Sequence, residues 1–92
     1  MSFIVDTGAP WPFYFSDLAL RILRAHRLLL EDDDGNNFVR VPMASGEIYK
    51  ASFMDTPDYF KPANLIGLRF ILRVGMAVSS EGFSFNNLAA YI

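Results

Sequence analysis

The sequence predicts a small all-β protein with one or two short helices. Its 92 residues are enough for one domain with a modest core. Most apolar residues fall in short runs rich in β-branched and aromatic side chains, and turn-forming residues separate these runs. In one segment of the amino-terminal third, apolar residues recur with the spacing of one face of an α-helix. No repeat, linker or low-complexity tract divides the chain, so we expect residues 1–92 to form a single domain.

The first two predicted elements are a strand and a helix. Residues 3–5 are apolar and are followed by Asp6 and Gly8, which is typical of a buried strand that ends in a turn. Ser16 can cap a helix whose pattern weakens near His26. The residues that recur with the spacing of one core-facing stripe are Phe15, Leu18, Ala19 and Ile22.

Three hairpins and a second helix account for much of the remaining chain. Residues 28–41 predict two strands around the polar turn "EDDDGNN". The stretch "VRVPMASGEIYKASF" predicts a second hairpin with its tip at residues 44–46. The apolar residues 65–74 end at Gly75, which is typical of a helix C-terminus. The stretch "MAVSSEGFSF" predicts a third hairpin that turns at residues 81–82.

Composition and charge exclude several classes of function and favour self-association. Apolar residues make up 52% of the chain and aromatic residues 15%, more than one small core hides, so we expect an oligomer. A net charge of -2 gives no electrostatic reason to bind nucleic acid or an anionic membrane. The absence of cysteine excludes thiol catalysis and thiolate metal sites. No apolar run reaches the roughly 18 residues of a membrane span, so we expect an intracellular (cytoplasmic) protein or one released from a polyprotein.

The stretch "FIVDTGAP" contains the strongest functional signal. Asp6, Thr7 and Gly8 directly follow an apolar strand, and on their own they are either an ordinary turn or a carboxylate held on a rigid rim. The stretch resembles the active-site loop of retropepsin-like aspartic proteases, in which two or three apolar residues precede Asp-Thr/Ser-Gly-Ala. Three further segments are similar to that family in the same order: "FYFSDLALRI", "VRVPMASGEIYKA" as the flap hairpin, and "NLIGLRFILRVGMAV" as the second signature.

The resemblance implies a fold, a reaction and an assembly. The implied fold is a small closed β-barrel, and the implied active unit is a homodimer because each chain supplies one catalytic aspartate. Peptide hydrolysis needs a general base that activates water and a general acid that protonates the leaving amine. Two Asp6 carboxyls that share one proton would supply both. The implied activity is that of an aspartic endopeptidase of retroviral or retrotransposon type, with no cofactor and no metal.

The resemblance also assigns roles to single residues. Thr7 would hydrogen-bond across the twofold axis, Gly8 would bring its N–H close to the Asp6 carboxylate, and Gly67 would let the second helix pack beneath the loop. The flap would close over an extended polypeptide substrate. The implied substrate-binding residues are Ala9, Trp11, Met43, Ala44, Ser45, Gly46 and Ile66.

The chain departs from the family at its amino end. Only five residues precede Asp6, whereas family members usually have a longer segment that forms a first strand and hairpin. We expect either that the C-terminal hairpin and the segment "NNLAAYI" supply the missing strands, or that the chain is a fragment or a remodelled member whose dimer differs. The competing interpretation is a non-enzymatic protein-binding domain, either a degenerate protease fold or an unrelated small β protein.

Other residues that could carry chemistry have simpler interpretations. His26 has no cysteine or orienting acid, so we expect a helix-end histidine. Asp32 begins a pattern like that of a calcium loop, but Asn37 and Met43 stand where such a loop needs glycine and glutamate. We therefore expect a solvated turn there. The aromatic residues at 11–15 are either a peptide-binding wall or, as in most small proteins, core or dimer contact.

Overall fold

The computed structural model of the chain describes residues 3–58 and 63–88. Within these ranges the protein is mostly β with two helices, which confirms the coarser form of the predicted fold. Neither described helix is long and apolar enough to cross a membrane. The elements are, in chain order, β1 (Ile4–Val5), β2 (Phe13–Phe15), α1 (Asp17–Ala25), β3 (Leu30–Glu31), β4 (Asn37–Pro42), β5 (Ile48–Asp55), β6 (Leu65–Ile66), α2 (Leu68–Val74), β7 (Met76–Ser79) and β8 (Gly82–Phe85).

Six strands form one sheet, in the order β1-β6-β2-β5-β4-β3. β6 lies between β1, to which it is parallel, and β2, to which it is antiparallel. β2 is in turn parallel to β5, and β3, β4 and β5 are joined as antiparallel hairpins. β7 and β8 form a separate hairpin. Because β1 and β2 flank β6, the segment that joins them has to cross the end of β6, and this segment begins with Asp6.

The predicted closed barrel is wrong, because the sheet is open. A barrel closes only when its first and last strands hydrogen-bond to each other. Here the edge strands β1 and β3 are two residues long, and the β7-β8 hairpin pairs only with itself among the described residues. Edges this short offer too few backbone groups for closure. The predicted contribution of "NNLAAYI" to the sheet falls partly outside the described residues, at 89–92.

Two short strands differ from the sequence prediction. β2 and β6 have three and two residues, too few for a periodic pattern, and pairing with neighbouring strands decides their conformation. Residues 65–66 are therefore strand rather than helix, and α2 begins only after Gly67. Gly67 is extended, with φ of -101° and ψ of -178°, so it separates the strand from the helix.

The face that α1 presents to the core also differs. Its buried residues are Ala19 and Leu20. The predicted core-facing residues Leu18 and Ile22 are 60% and 44% exposed. The reason is that Phe15 belongs to β2, so it does not extend a helical stripe, and the helix packs on the sheet through its neighbouring face. The predicted helix ends are confirmed, because the N-cap and C-cap are the expected serine and histidine.

All three predicted hairpins are present, with turns at or next to the expected positions. β3 and β4 enclose a polar turn at residues 32–36, all of them exposed, as the prediction of a solvated turn requires. β4 and β5 are joined through residues 43–47, where Gly46 has a φ of 93°. β7 and β8 turn at residues 80–81, beside Gly82 with a φ of 124°. The positive φ angles explain why glycine stands at the last two turns.

The main core lies on one face of the sheet and is rich in phenylalanine. Alternation along β2 directs Phe13 and Phe15 to this face and Tyr14 to a smaller cluster on the other. The Phe13 ring centroid lies 5.4 Å from that of Phe15 and 4.7 Å from that of Phe70 on α2. These aromatic residues are therefore core, which confirms the simpler of the two interpretations for residues 13–15.

Candidate active site

Asp6 directly follows β1 and begins the loop that crosses the end of β6. Its N–H donates to the Ile66 carbonyl at 2.9 Å, which extends the β1-β6 pairing. The Gly8 N–H donates to Asp6 Oδ1 at 2.9 Å, the contact expected of this glycine. The Ala9 N–H donates to the Asp6 carbonyl at 3.1 Å. Asp6 is half-buried, whereas Thr7 and Gly8 are exposed, so the carboxyl is held by the backbone while its loop stays open to solvent.

Gly67 is the residue on which this loop rests. A Cβ at this position would overlap the carbonyl oxygen of Trp11 and would lie 2.6 Å from that of Ala9. Both atoms belong to the backbone, so neither can move aside as a flexible side chain would. The close approach requires glycine here, because the extended backbone angles of Gly67 are open to any residue. The geometry agrees with the close packing that the resemblance implies for this glycine.

The start of α2 supplies hydrogen bonds that fix the rest of the loop. The Leu68 N–H donates to the Ala9 carbonyl at 2.7 Å, and the N–H groups on either side of it donate to the carbonyls of residues 10 and 12. The first N–H groups of a helix have no partner within the helix, and the loop satisfies them. The Arg69 guanidinium lies 4.9 Å from the centroid of the Trp11 ring, a favourable cation–π contact.

Sequence analysis missed Asn64, which ties β1 to the start of α1. Its carbonyl accepts the Ile4 N–H at 2.8 Å, and its Oδ1 accepts the Ser16 N–H at 2.8 Å. The signal that could have found it is a polar amide directly before the buried apolar pair of β6. Asn64 is a positioning residue, because it holds β1 and through β1 the position of Asp6.

The predicted substrate-binding residues fall into two groups. Ala9, Trp11 and Ile66 lie around the Asp6 loop, where Ala9 and Ile66 are each 8% exposed and Trp11 is half-buried. Met43 is 3% exposed and belongs to the main core, so its side chain does not face a substrate in the single chain. The second group forms the exposed tip of the β4-β5 hairpin and consists of Ala44, Ser45 and Gly46.

The hairpin tip and Asp6 lie at opposite ends of α2. The Ala44 N–H donates to the Asn87 carbonyl at 3.3 Å. Glu47 Oε2 lies 3.2 Å from Nη2 of Arg73, in the last turn of α2. Because α2 has seven residues, its two ends are separated by about 10 Å of helix rise. The single chain therefore does not bring the tip to Asp6.

The chemistry open to one such loop is limited. One carboxyl acts as a base or as an acid, but peptide hydrolysis uses both at once. Asp6 is the one acid of its loop. Among the described residues no three His, Asp or Glu side chains come together in a group that could hold a metal ion.

No family model, curated protein or solved structure matches the chain.

Proposed function

We propose that this protein is an aspartic endopeptidase of the retropepsin type, active as a homodimer. The observation that carries the proposal is the Asp6 loop, in which a carboxyl at a strand end accepts the Gly8 N–H and the loop rests on Gly67. An ordinary surface turn gains little from such close packing. A catalytic carboxyl gains a fixed orientation, which lowers the cost of reaching the transition state.

Two Asp6 carboxyls facing each other across a twofold axis would supply the base and the acid. The ionised carboxyl takes a proton from a water molecule as the water oxygen attacks the scissile carbonyl carbon. The protonated carboxyl hydrogen-bonds to the carbonyl oxygen, and a proton then passes to the departing amine nitrogen. Two carboxyls about 3 Å apart do not both ionise, so such a pair would hold one proton and could supply both the base and the acid.

Residues beside Asp6 would extend the site and determine which peptide substrates it prefers. Thr7 is exposed and would hydrogen-bond to the same loop of the partner, which keeps the two carboxyls in one plane. Trp11, held against Arg69, would form an apolar subsite wall. The substrate class is therefore an extended, largely apolar peptide, whose backbone pairs with the site as a strand would.

The β4-β5 hairpin would have to leave α2 to close over such a peptide. The Glu47–Arg73 ion pair resists this movement, but its two side chains are 67% and 42% exposed. Exposed ion pairs contribute only about 0–1 kcal/mol, and the hydrogen bond at Ala44 adds roughly 1 kcal/mol. Substrate binding can supply a free energy of this size.

The test is to mix wild-type chains with Asp6→Asn chains at constant total concentration. If both carboxyls of a dimer are needed, activity follows the square of the wild-type fraction, and an equal mixture keeps about a quarter of the activity. Independent chains would keep half. Cleavage of a fluorogenic peptide library at mildly acid pH gives the activity.

The matched control is Asp33→Asn, which removes an exposed carboxyl outside the loop and should leave activity unchanged in every mixture. Sedimentation has to show that Asp6→Asn chains still fold and dimerise. A linear dependence on the wild-type fraction would overturn the dimeric mechanism. A wild type that cleaves no peptide and binds no pepstatin-like inhibitor would overturn the peptidase itself.

A second candidate function is a non-enzymatic protein-binding domain. The position of the hairpin tip favours it, because the tip is bound at the far end of α2 from Asp6. Such a domain needs no ionisable residue at position 6. Equal affinity of wild type and Asp6→Asn for a protein partner, in the absence of peptide cleavage, would identify this function.

A further inference from the structure

A cavity of about 440 Å³ opens into the main core on the side of α1. Its walls include Phe13, Phe15 and Val39 of the sheet and Phe70 of α2. Protein interiors contain few voids larger than a water molecule, whereas ligand sites measure roughly 300–1,000 Å³ and are mostly apolar with a few polar groups. The cavity therefore has the size and lining of a ligand site.

Arg27 lies at this cavity in an unfavourable backbone conformation. It lines the cavity and has a φ of 58°, alone among the described non-glycine residues in having a positive φ. Its N–H and that of Leu28 donate to the carbonyls of Arg24 and Leu23, a helix ending that glycine usually completes. A residue with a Cβ is disfavoured there. An arginine where glycine would be more stable indicates a role for its side chain.

The charges around the cavity favour an anion at its mouth. No acid occurs among the described lining residues, and Arg27 forms no ion pair with a described residue. Arg40 also lines the cavity, but it lies between the buried residues Val39 and Val41 on β4. Strand alternation therefore turns its side chain to the opposite face, across from Lys50. Arg27, which lines the cavity and is exposed, is therefore the lining arginine that a ligand can reach.

We propose that this cavity binds a single-chain amphiphilic carboxylate of the fatty-acid type, with its alkyl chain among the phenylalanines and its carboxylate on Arg27. A guanidinium matches a carboxylate with two parallel hydrogen bonds, and each buried methylene adds favourable free energy. An apolar peptide fits less well, because the lining offers few partners for backbone N–H and C=O groups. The proposal does not depend on peptidase activity.

Calorimetric titration of the full chain with decanoate, dodecanoate and tetradecanoate, each below its micelle concentration, tests the alkyl site. Kd should fall about fourfold for each added methylene until the cavity is full. Dodecanol lacks the charge and should bind at least about tenfold more weakly than dodecanoate. A heat-capacity change that is negative on binding marks burial of the alkyl chain.

The Arg27→Gly variant tests whether Arg27 contributes to ligand binding without being needed for folding. The melting temperature should stay the same or rise, because glycine adopts the positive φ without a Cβ clash. Dodecanoate should bind at least about tenfold more weakly, while the affinity for dodecanol stays unchanged. Arg21→Gln is the matched control, since Arg21 is an exposed arginine of α1 outside the lining, and it should bind dodecanoate like the wild type.

Leu28→Trp tests the location of the alkyl chain. Leu28 lines the cavity and is 52% exposed, so a larger side chain there should block the mouth without disturbing the core, and dodecanoate binding should be lost. Leu72→Trp changes a 74% exposed leucine outside the lining and should bind normally.

Three results would overturn the proposal. The first is a Kd that does not depend on alkyl length, and the second is an Arg27→Gly chain that binds dodecanoate as tightly as wild type. The third is a chain that ignores all the fatty acids but binds an apolar peptide saturably, which would assign the cavity to a protein partner.

Discussion

At the level of single residues, the Asp6 loop depends on two glycines with different roles. A Cβ at Gly67 would meet backbone oxygens of the loop, whereas a Cβ at Gly8 would lie 3.2 Å from Asp6 Oδ1, a side-chain atom that can rotate away. Gly67 therefore holds the loop on α2, and Gly8 positions the carboxyl. Substitutions at the two sites should separate stability from activity.

Gly67→Ala should lower the free energy of unfolding by about 3 kcal/mol, the upper part of the usual range for overpacking. The Ala9 carbonyl, one of the two backbone oxygens in the way, cannot move aside without losing its hydrogen bond to the Leu68 N–H at the start of α2. Gly8→Ala should cost less than about 1 kcal/mol but lower kcat/KM at least about tenfold, because it shifts the Asp6 carboxyl. Denaturant unfolding and peptide cleavage measure the two effects. Equal loss of stability in both variants would show that the loop does not rest on Gly67.

Asp32 should make the β3-β4 hairpin sensitive to acid. The N–H of Asn36, and then that of Asp34, donate to its carboxylate, and these bonds lower the pKa of Asp32. A carboxyl with a lowered folded-state pKa stabilises the fold above the ordinary value of about 3.9, and this contribution is lost as pH falls through the lowered pKa. The stability advantage of wild type over Asp32→Asn should therefore be present at neutral pH and vanish in strong acid.

Unfolding at a series of pH values, with Asp33→Asn as the control, checks this prediction. The side chain of Asp33 accepts no hydrogen bond within the described residues, so Asp33→Asn should have nearly the wild-type free energy of unfolding at neutral pH. A wild-type advantage that grows on acidification would contradict the assignment.

Among single residues, the sequence predicts the local contacts of Asp6 better than it predicts the surroundings of Met43. The motif around Asp6 is local, and so is the hydrogen bond from Gly8. The resemblance places Met43 beside the hairpin tip, but strand alternation continues through Val39 and Val41 to Met43, and all three are buried. The alternation that indicates burial of Met43 is visible in the sequence, but the resemblance favoured a substrate contact at this position instead.

At the level of elements, the start of α1 depends on Ser16. Its Oγ accepts the Ala19 N–H at 3.1 Å, and the residue is 4% exposed. Ser16→Ala should lower the free energy of unfolding by about 1 kcal/mol, with the upper limit near 2 kcal/mol. Ser45→Ala is the control, because Ser45 is exposed and its Oγ lies 3.5 Å from the Glu47 N–H; it should change stability by less than about 0.5 kcal/mol. Thermal and denaturant unfolding compare them, and equal costs would contradict the cap.

The hairpins could be predicted because their signals are local. Turn residues such as Gly46 and Gly82 lie within a few positions of the strands they join, and the backbone angles they need are glycine angles. β2 and β6 could not be predicted in this way. Each is too short to show a period, and each becomes a strand only because a partner distant in sequence lies beside it.

At the level of the whole molecule, a single copy leaves several large apolar side chains in water. Leu72, Val78 and Phe83 are 74%, 69% and 58% exposed. Burying such a surface between copies would stabilise the fold by the hydrophobic effect, and the proposed site needs two chains for its two carboxyls. The melting temperature and the activity per chain should therefore both depend on protein concentration, and over the same range.

Dilution is the corresponding test. The melting temperature should rise with protein concentration, because association stabilises the folded chain by mass action. Activity per chain should fall over the same concentration range in which sedimentation shows dissociation. A melting temperature and a specific activity that are both independent of concentration would show that the functional unit is one chain.

That the sheet is open could not be predicted from the sequence. The resemblance implies a closed barrel, but closure depends on whether β1 and β3 meet, and no residue pattern within either two-residue strand reports on that. The cavity beside Arg27, which sequence analysis did not suspect, is lined in part by residues at both open edges, Phe3 next to β1 and Leu30 of β3.

The parallel pairing of β1 with β6 also bears on how the protein is made. Ile4 lies beside Leu65, so this pairing closes most of the chain into a loop, whereas the β4-β5 hairpin forms between near neighbours. Distant contacts of this kind carry a larger entropic cost and form late. A nascent chain would thus display its hairpins well before position 6 reaches its final geometry. For a protein with the proposed activity, this delay would prevent incompletely synthesised chains from hydrolysing nearby polypeptides.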